Sequence, residues 1–152
     1  GDARFNTLVV TGMPEEFLAP LRAHKDITIE RGADFPRICE FLSWADILVM
    51  PVLPNEHGAG LTTLLEAAAA GLPILCTRVG GIDEYLSDTA AEYVPGADPT
   101  AMRDAALALG ADPERAEALA TRARAELDEK GYTSEAAVIA RCAVIKDALA
   151  ER

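Results

Sequence analysis

Short apolar runs alternate with helix-forming segments along the first two-thirds of the chain. Residues 7–10 (TLVV) and 27–30 (ITIE) have strand-like composition, and residues 91–95 (AEYVP) form the last short run. Residues 46–52 (DILVMPV) and 73–77 (PILCT) are almost continuously apolar, as in strands that are buried on both faces. Strands that alternate with helices in this way predict a parallel α/β sheet covered by helices.

Helix signals fill the segments between the strands and the whole last third of the chain. Gly71 stands where a helix would end, before the run at 73–77. Asp98 and Asp112 are each followed by a proline, which suits the first position of a helix. The final segment is predicted to be an amphipathic helix. Its apolar face consists of Val138, Ile139, Cys142, Ile145 and Leu149. We expect a single domain over residues 1–152, with residues 98–152 as its C-terminal helical segment.

Composition and charge exclude several classes of function. The formal net charge of −11 argues against nonspecific binding of nucleic acid or anionic lipid. Three widely spaced cysteines and two histidines give little support to a zinc site or a Ser-His-Asp triad. Because no apolar run reaches membrane-spanning length and no signal peptide is recognisable, we expect a cytoplasmic protein. Association with the inner face of the membrane would then require a partner.

The segment NEHGAGLTTLLEAAAAG, from Asn55 to Gly71, connects two predicted strands. In a parallel sheet, ligands bind where such loops leave the carboxyl ends of the strands. Gly58 and Gly60 let the backbone approach a ligand closely, and the first amide groups of the helix would face an anion such as a diphosphate. Glu66 could accept hydrogen bonds from vicinal hydroxyls such as those of a ribose. Judged by spacing alone, an acid that favours the helix dipole is the better interpretation of Glu66.

A longer stretch resembles a known family. The text ADILVMPVLPNEHGAGLTTLLEAAAAGLPILCTRVGGIDEYL is similar to the donor-binding half of retaining GT-B glycosyltransferases of family 4, in which glycines, proline and acid fall in the same register. The resemblance covers residues 45–149 and implies a Rossmann-like parallel sheet with flanking helices, the C-terminal half of a GT-B fold. Residues 5–12 resemble the second strand of that domain, so its first strand-helix unit has no counterpart here.

The resemblance also implies roles for individual residues. Glu66 would bind the ribose hydroxyls of a nucleotide sugar. The donor sugar and diphosphate would be held by the backbone of Gly58, Ala59, Gly60, Leu61, Thr62 and Thr63. Arg31, Gly32 and Ala33 would lie near the base. No metal and no other cofactor is expected, because members of the family neutralise the diphosphate with amide groups and basic side chains.

The sequence departs from the family in its loop and in its extent. Family members often carry an acid eight positions before the ribose-binding one, and Gly58 stands there in this chain. If the loop slips by one residue, His57 takes that place and Glu56 is the nearest carboxylate, so these two are the candidates for a catalytic role. The family's basic GR…KG segment and its acceptor-binding domain have no counterpart. In the strand order 3-2-1-4-5-6, absence of strand 1 leaves strands 2 and 4 with unpaired inner edges, where self-association or another chain could supply the pairing.

Four further residues have competing interpretations. Gly81, together with Gly80, is expected to allow close approach of the backbone to the donor sugar. Arg78 follows a strand end, and a surface position is favoured over a phosphate contact. Trp44 ends an apolar helical face and is expected to lie in the core.

Together these observations predict the donor domain of a glycosyltransferase. It would bind a nucleoside-diphosphate sugar for retaining transfer to an acceptor hydroxyl, in bacterial polysaccharide or glycoconjugate synthesis, with an acceptor-binding domain or chain as partner. The alternative is a noncatalytic module for nucleotide-sugar binding or assembly, and a GT-B-like sugar-nucleotide epimerase is less favoured. Neither the sugar, the base nor the acceptor is indicated by the sequence.

Overall fold

The computed structural model describes residues 5–54, 58–79 and 81–150. The strands are β1 (Thr7–Val10), β2 (Ile27–Glu30), β3 (Leu48–Met50), β4 (Ile74–Thr77) and β5 (Glu92–Val94). The helices are α1 (Glu15–Arg22), α2 (Phe35–Trp44), α3 (Leu61–Ala70), α4 (Ile82–Tyr85), α5 (Pro99–Ala111), α6 (Pro113–Glu129) and α7 (Ser134–Ala150). Within the described ranges, no helix is both long and apolar enough to cross a membrane.

The chain divides into two compact units, an N-terminal unit of residues 1–44 and a C-terminal unit of residues 45–152. β1 and β2 pair in parallel in the first unit, and β3, β4 and β5 form a parallel sheet of order β3-β4-β5 in the second. The predicted parallel α/β architecture with flanking helices is confirmed. In the order 3-2-1-4-5-6, β1 and β2 correspond to strands 2 and 3, and β3, β4 and β5 correspond to strands 4, 5 and 6. The prediction of one domain over the whole chain stays a prediction.

β4 is the centre of the C-terminal unit. All four of its residues are buried, because β3 and β5 pair with its two edges and helices cover its faces. Leu75 packs in one cluster with Val94, Leu109 and Leu119, which joins the sheet to α5 and α6. Full burial of a leucine side chain contributes about 1.5–3 kcal/mol. The continuous apolar run at residues 73–77 predicted a strand buried on both faces, and the burial of β4 confirms that prediction.

Gly71 ends α3 and directs the chain straight into β4. Its φ of 75° places it in the left-handed region, and its amide donates to Ala68 O over 3.1 Å. The Leu72 amide reaches back to Ala67 O over 3.0 Å, which completes a Schellman-type end. The predicted helix end at Gly71 is therefore confirmed. It fixes the short connection by which α3 packs beside the strand that follows it.

Two sequence predictions about apolar side chains are wrong. Trp44 is 55% exposed and only meets Phe41 edge-on, with 6.1 Å between the ring centroids. The strand β3 forms as predicted, but it is not buried on both faces, because Val49 at its centre is 41% exposed. The helix α7 also forms, and Val138 and Ile139 on its predicted apolar face are 57% and 62% exposed. Apolar spacing selects a helix and one of its faces, whereas burial also needs a second element to cover that face.

Asp112 joins α5 to α6 without any intervening loop. Its amide donates to Leu109 O over 3.2 Å at the end of α5, and its carboxylate Oδ1 accepts the Arg115 amide over 3.0 Å at the start of α6. Pro113 follows in the first position of α6, where a missing N–H costs nothing. One residue therefore terminates one helix and caps the next.

We expect Asp112→Ala to lower the free energy of unfolding by about 1 kcal/mol, because it removes the cap of α6. Asp112→Asn should lose far less, since an asparagine oxygen can accept the same bond. Asp104→Ala is the matched control, because Asp104 is exposed and, among the described residues, bonds only to Arg103 beside it. Urea unfolding followed by circular dichroism measures all three. Equal losses for Asp112→Ala and Asp104→Ala would contradict the assigned role.

Candidate functional site

The loops that leave β3, β4 and β5 converge at the carboxyl edge of the sheet. Thr77, the last residue of β4, donates its hydroxyl to Val52 O in the loop after β3, over 2.6 Å. A Cβ built on Gly96 would lie 3.8 Å from Val79 Cγ1 and 3.9 Å from Pro54 Cδ, so the three loops come close together at this point. This edge is where α/β proteins bind their ligands, and it carries the predicted site.

α3 begins in close contact with the end of β3. Gly60, at the N-cap, has a φ of 87°, and its carbonyl accepts the Leu64 amide over 2.9 Å. A Cβ on Gly60 would lie 3.0 Å from Met50 Cε and 3.3 Å from Val52 Cγ2. Glycine therefore satisfies both the backbone conformation and the close approach. The loop passes over the strand end without a side chain in between.

The start of α3 presents free hydrogen-bond donors. The amide groups of Thr62 and Thr63 donate to no residue in the described part of the chain, and both threonine side chains are exposed. The first amides of a helix point along its axis, towards the positive end of the helix dipole. Two amides and two hydroxyls could thus bind one anionic group here.

Glu66 lies in the second turn of α3. Its side chain is half-buried, and its carboxylate makes no hydrogen bond or ion pair with any described residue. The stabilising effect of the helix dipole falls off within the first turn, so a dipole contact gives a weak account of an acid at this depth. A partly buried carboxylate without a protein partner retains its capacity to accept hydrogen bonds from a ligand.

The structure brings part of the predicted set together. One loop and helix start in the C-terminal unit contain Gly58, Ala59, Gly60, Leu61, Thr62, Thr63 and Glu66. Arg31, Gly32 and Ala33 follow β2 in the N-terminal unit, where the Arg31 guanidinium lies 3.8 Å from Glu15. His57 and Glu56, the candidates for a catalytic role, lie outside the described residues, as does Gly80. The roles assigned to all of these residues stay predictions.

Arg78, at the exit of β4, takes part in a network that the sequence does not reveal. Its guanidinium bonds to Asp83 over 3.1 Å and to Asp88 over 2.5 Å, and it lies 4.5 Å from the centroid of the Tyr93 ring. Hydrogen bonds to these two acids raise the pKa of Arg78 above its usual value. The guanidinium is half exposed but committed to neighbours of its own unit, which agrees with the surface interpretation.

The described fold defines a class of protein. The chain superposes on sucrose-phosphate synthase from Thermosynechococcus elongatus with a TM-score of 0.80, at 21% identity, over 97% of this chain and 39% of that chain. At this identity the likeness shows the fold alone, which is that of GT-B glycosyltransferases. The model of the family Glycosyl transferases group 1 matches residues 3–112, and the chain belongs to this family.

Two relatives support the assignment to this family and show how much of a relative the chain matches. N-acetyl-alpha-D-glucosaminyl L-malate synthase of Bacillus anthracis is 32% identical over 128 residues, 81% of this chain and 33% of the relative. GDP-mannose-dependent alpha-(1-6)-phosphatidylinositol monomannoside mannosyltransferase of Mycolicibacterium smegmatis is 30% identical over 117 residues, 72% of this chain and 30% of the relative. The chain thus spans about a third of the length of these relatives.

The two loop glycines form a matched pair for mutagenesis. Gly58→Ala and Gly60→Ala both place a side chain at positive φ, which costs about 1–2 kcal/mol. Only the Cβ at Gly60 would also meet Met50 and Val52, whereas nothing lies within 4 Å of the position at Gly58. We expect Gly60→Ala to lose about 1–3 kcal/mol more in urea unfolding. A loss at Gly58 equal to that at Gly60 would show that the close approach is absent.

The Cys76 thiol in β4 should be unreactive at neutral pH. Burial raises its pKa to about 12, although the nearby Arg78 charge acts in the opposite direction. Cys39 and Cys142 are exposed. A water-soluble disulfide reagent at pH 8 should therefore label these two in the native protein, and Cys76 only after unfolding, as peptide mass spectrometry would show. Labelling of Cys76 at the rate of the other two would contradict the burial of β4.

Proposed function

We propose that this chain is the donor-binding part of a glycosyltransferase that uses a nucleoside-diphosphate sugar. The reaction would transfer the sugar to an acceptor hydroxyl with retained configuration, and the nucleoside diphosphate would leave. In such a reaction the protein contributes mainly by positioning the donor and by stabilising the charge that develops on the leaving group. We assign the pathway to bacterial polysaccharide or glycoconjugate synthesis.

The observation that carries this proposal is the unpartnered carboxylate of Glu66. It lies one turn beyond the free amides of Thr62 and Thr63, on the helix that leaves the carboxyl edge of the sheet. A nucleoside diphosphate offers the complementary groups in the same order, because its two ribose hydroxyls stand beside an anionic diphosphate. The carboxylate would accept the hydroxyls and the amides would bind the phosphate oxygens.

Neutralisation of the diphosphate is assigned to amide groups rather than to a metal. In the described residues of the C-terminal unit, Arg78 is the cation next to this edge, and it is bonded to Asp83 and Asp88. The backbone of Gly58 to Thr63 would therefore bear most of the phosphate contact, with further basic groups from outside this unit. His57 or Glu56 would serve as the polar group on the donor sugar.

The relatives support the substrate class. The name of the Mycolicibacterium smegmatis relative specifies dependence on GDP-mannose, a nucleoside-diphosphate sugar. These relatives are about two and a half times as long as this chain, which supports an acceptor-binding domain or chain as its partner. We place the protein in the cytoplasm, where nucleotide sugars are made available.

A second candidate function is assembly without catalysis. It is favoured by the exposed apolar side chains of α7, among them Val138 and Ile139, and by the division of the strands into two sheets. In that case the chain would associate with itself or with a partner and need not bind nucleotides. Sedimentation analysis across a concentration series tests the self-association.

The donor site is tested by calorimetric titration of the chain with UDP, GDP and their 2′-deoxyribose counterparts. We expect the ribonucleotide to bind more tightly than its deoxy form, because Glu66 would lose a hydrogen bond of about 1.5–3 kcal/mol, or roughly tenfold or more in affinity. Glu66→Ala should weaken ribonucleotide binding by a similar factor and abolish the preference. Binding should also be unaffected by a metal chelator.

Glu117→Ala is the matched control, because Glu117 is an exposed acid on α6 whose carboxylate has no described partner. It should leave both affinities unchanged. Absence of any nucleotide diphosphate binding at millimolar concentration, or equal affinity of wild type and Glu66→Ala, would refute the donor-site proposal and favour the assembly function.

A further inference from the structure

Glu126 is a buried acid in the last turn of α6. Its side chain on α6 is 3% exposed, and a charge at such a site is costly unless it is fully paired. It accepts the Ser87 amide over 2.9 Å and the Ser87 hydroxyl over 2.5 Å. Arg122 and Lys130 each approach it to 3.2 Å. Every acceptor position of the carboxylate is thus used, and Ser87 is 39 residues away in the sequence.

Burial opposes ionisation of Glu126, but the hydrogen bonds from Ser87 and Lys130 outweigh it, so its pKa lies below the usual value. The carboxylate is therefore charged at neutral pH. Ser87 lies two residues after the end of α4, so the carboxylate fixes the backbone at the exit of that short helix.

Lys130 extends the same contact to α4 itself. Its ammonium group donates to Tyr85 O over 2.9 Å and to Glu84 O over 3.3 Å, which are the last carbonyls of α4. The rings of Tyr85 and Tyr132 also pack, with 5.1 Å between their centroids. We call Ser87, Glu126 and Lys130 the α4 anchor.

The other end of α4 is held independently. Arg78, which follows β4, bonds to Asp83 in the first turn of α4. Ile82 is buried, and Gly81 precedes it with a φ of 87°. A helix of only four residues has little stability of its own, so these side-chain contacts determine its position. The segment from Gly81 to Tyr85 is therefore fixed at the carboxyl edge of the sheet by α6 on one side and by Arg78 on the other.

We propose that Glu126 and Lys130 are positioning residues for the donor. They hold the Gly81–Tyr85 segment in place at the carboxyl edge of the sheet, the edge from which the loop into α3 also leaves, and thereby shape the side of the site that receives the part of the donor beyond the ribose. The inference rests on the proposed donor-binding function. Apolar residues of similar size could fill the space between α6 and α4 without loss of stability, but they would not fix the backbone of α4 by directed bonds.

The test compares Glu126→Gln, Lys130→Met and Lys130→Arg in the whole 152-residue chain. Two pairs of ligands are compared, UDP with UDP-glucose and GDP with GDP-mannose. The measured quantity is the ratio of the affinity for the nucleotide sugar to the affinity for the nucleotide alone, which is the gain that the sugar provides. We expect Glu126→Gln and Lys130→Met to reduce this gain on the order of tenfold, with little change for the nucleotide alone. Lys130→Arg should retain most of the gain, because an arginine can still donate to the α4 carbonyls. Amide resonances of residues 81–87 should shift in the two weakened variants.

Glu117→Gln provides the matched control, since Glu117 is an exposed acid on the same helix without a described partner. It should behave as wild type. If Glu126→Gln lowers the melting temperature but leaves the sugar-dependent gain unchanged in the folded protein, the anchor is structural only and the inference is wrong. If wild type binds no nucleotide, the proposed function itself fails. A third outcome separates the two proposals. If Glu66→Ala loses affinity for both the nucleotide and the nucleotide sugar while the anchor variants have no effect, the donor-binding function stands and the inference about the α4 anchor is wrong.

Discussion

The C-terminal unit depends on the pairing of β4 along both of its edges. Pairing with β3 and β5 buries all four of its residues and aligns the carboxyl ends of three parallel strands. The hydroxyl of Thr77 then joins the end of β4 to Val52, so the loops that carry the candidate site start from a fixed edge. Without this central strand, the starts of α3 and α4 would not be held at one edge of the sheet, because the loops that lead into them leave the paired strands β3 and β4.

Most of the fold follows from local features of the sequence. Continuous apolar runs predict β3 and β4, Gly71 predicts the end of α3, and the two Asp-Pro pairs predict the starts of α5 and α6. These signals work because they act over a few residues through burial, positive φ and side-chain capping. The exposure of Trp44 and of the α7 face could not be foreseen in this way. Whether an apolar face is buried depends on which other element covers it, and periodicity does not contain that information.

In the candidate site, too, the contacts between residues close in sequence are predictable, and those between distant residues are not. The glycine loop and Glu66 belong to one contiguous segment, so their proximity follows from helix geometry and the register of the family resemblance. The contacts of Glu126 with Ser87, and of Arg78 with Asp88, connect residues that are far apart or separated by a turn. Only the packing of α6 beside α4 creates the first of these contacts. The sequence of α6 does not distinguish a solvated glutamate from a buried one. The hydrogen-bond donors that surround Glu126 in the folded protein determine whether its carboxylate is paired.

Asp112 has a mechanical consequence. Because α5 and α6 share this one residue, its φ of −128° and ψ of 79° alone determine the angle between the two helix axes. A helix turns by about 100° per residue, so insertion of one residue after Pro113 would rotate the rest of α6 by more than a quarter of a turn. Leu119 would leave the core, and Glu126 would face away from Ser87. The length of this junction is thus as strictly constrained as any side chain of the candidate site.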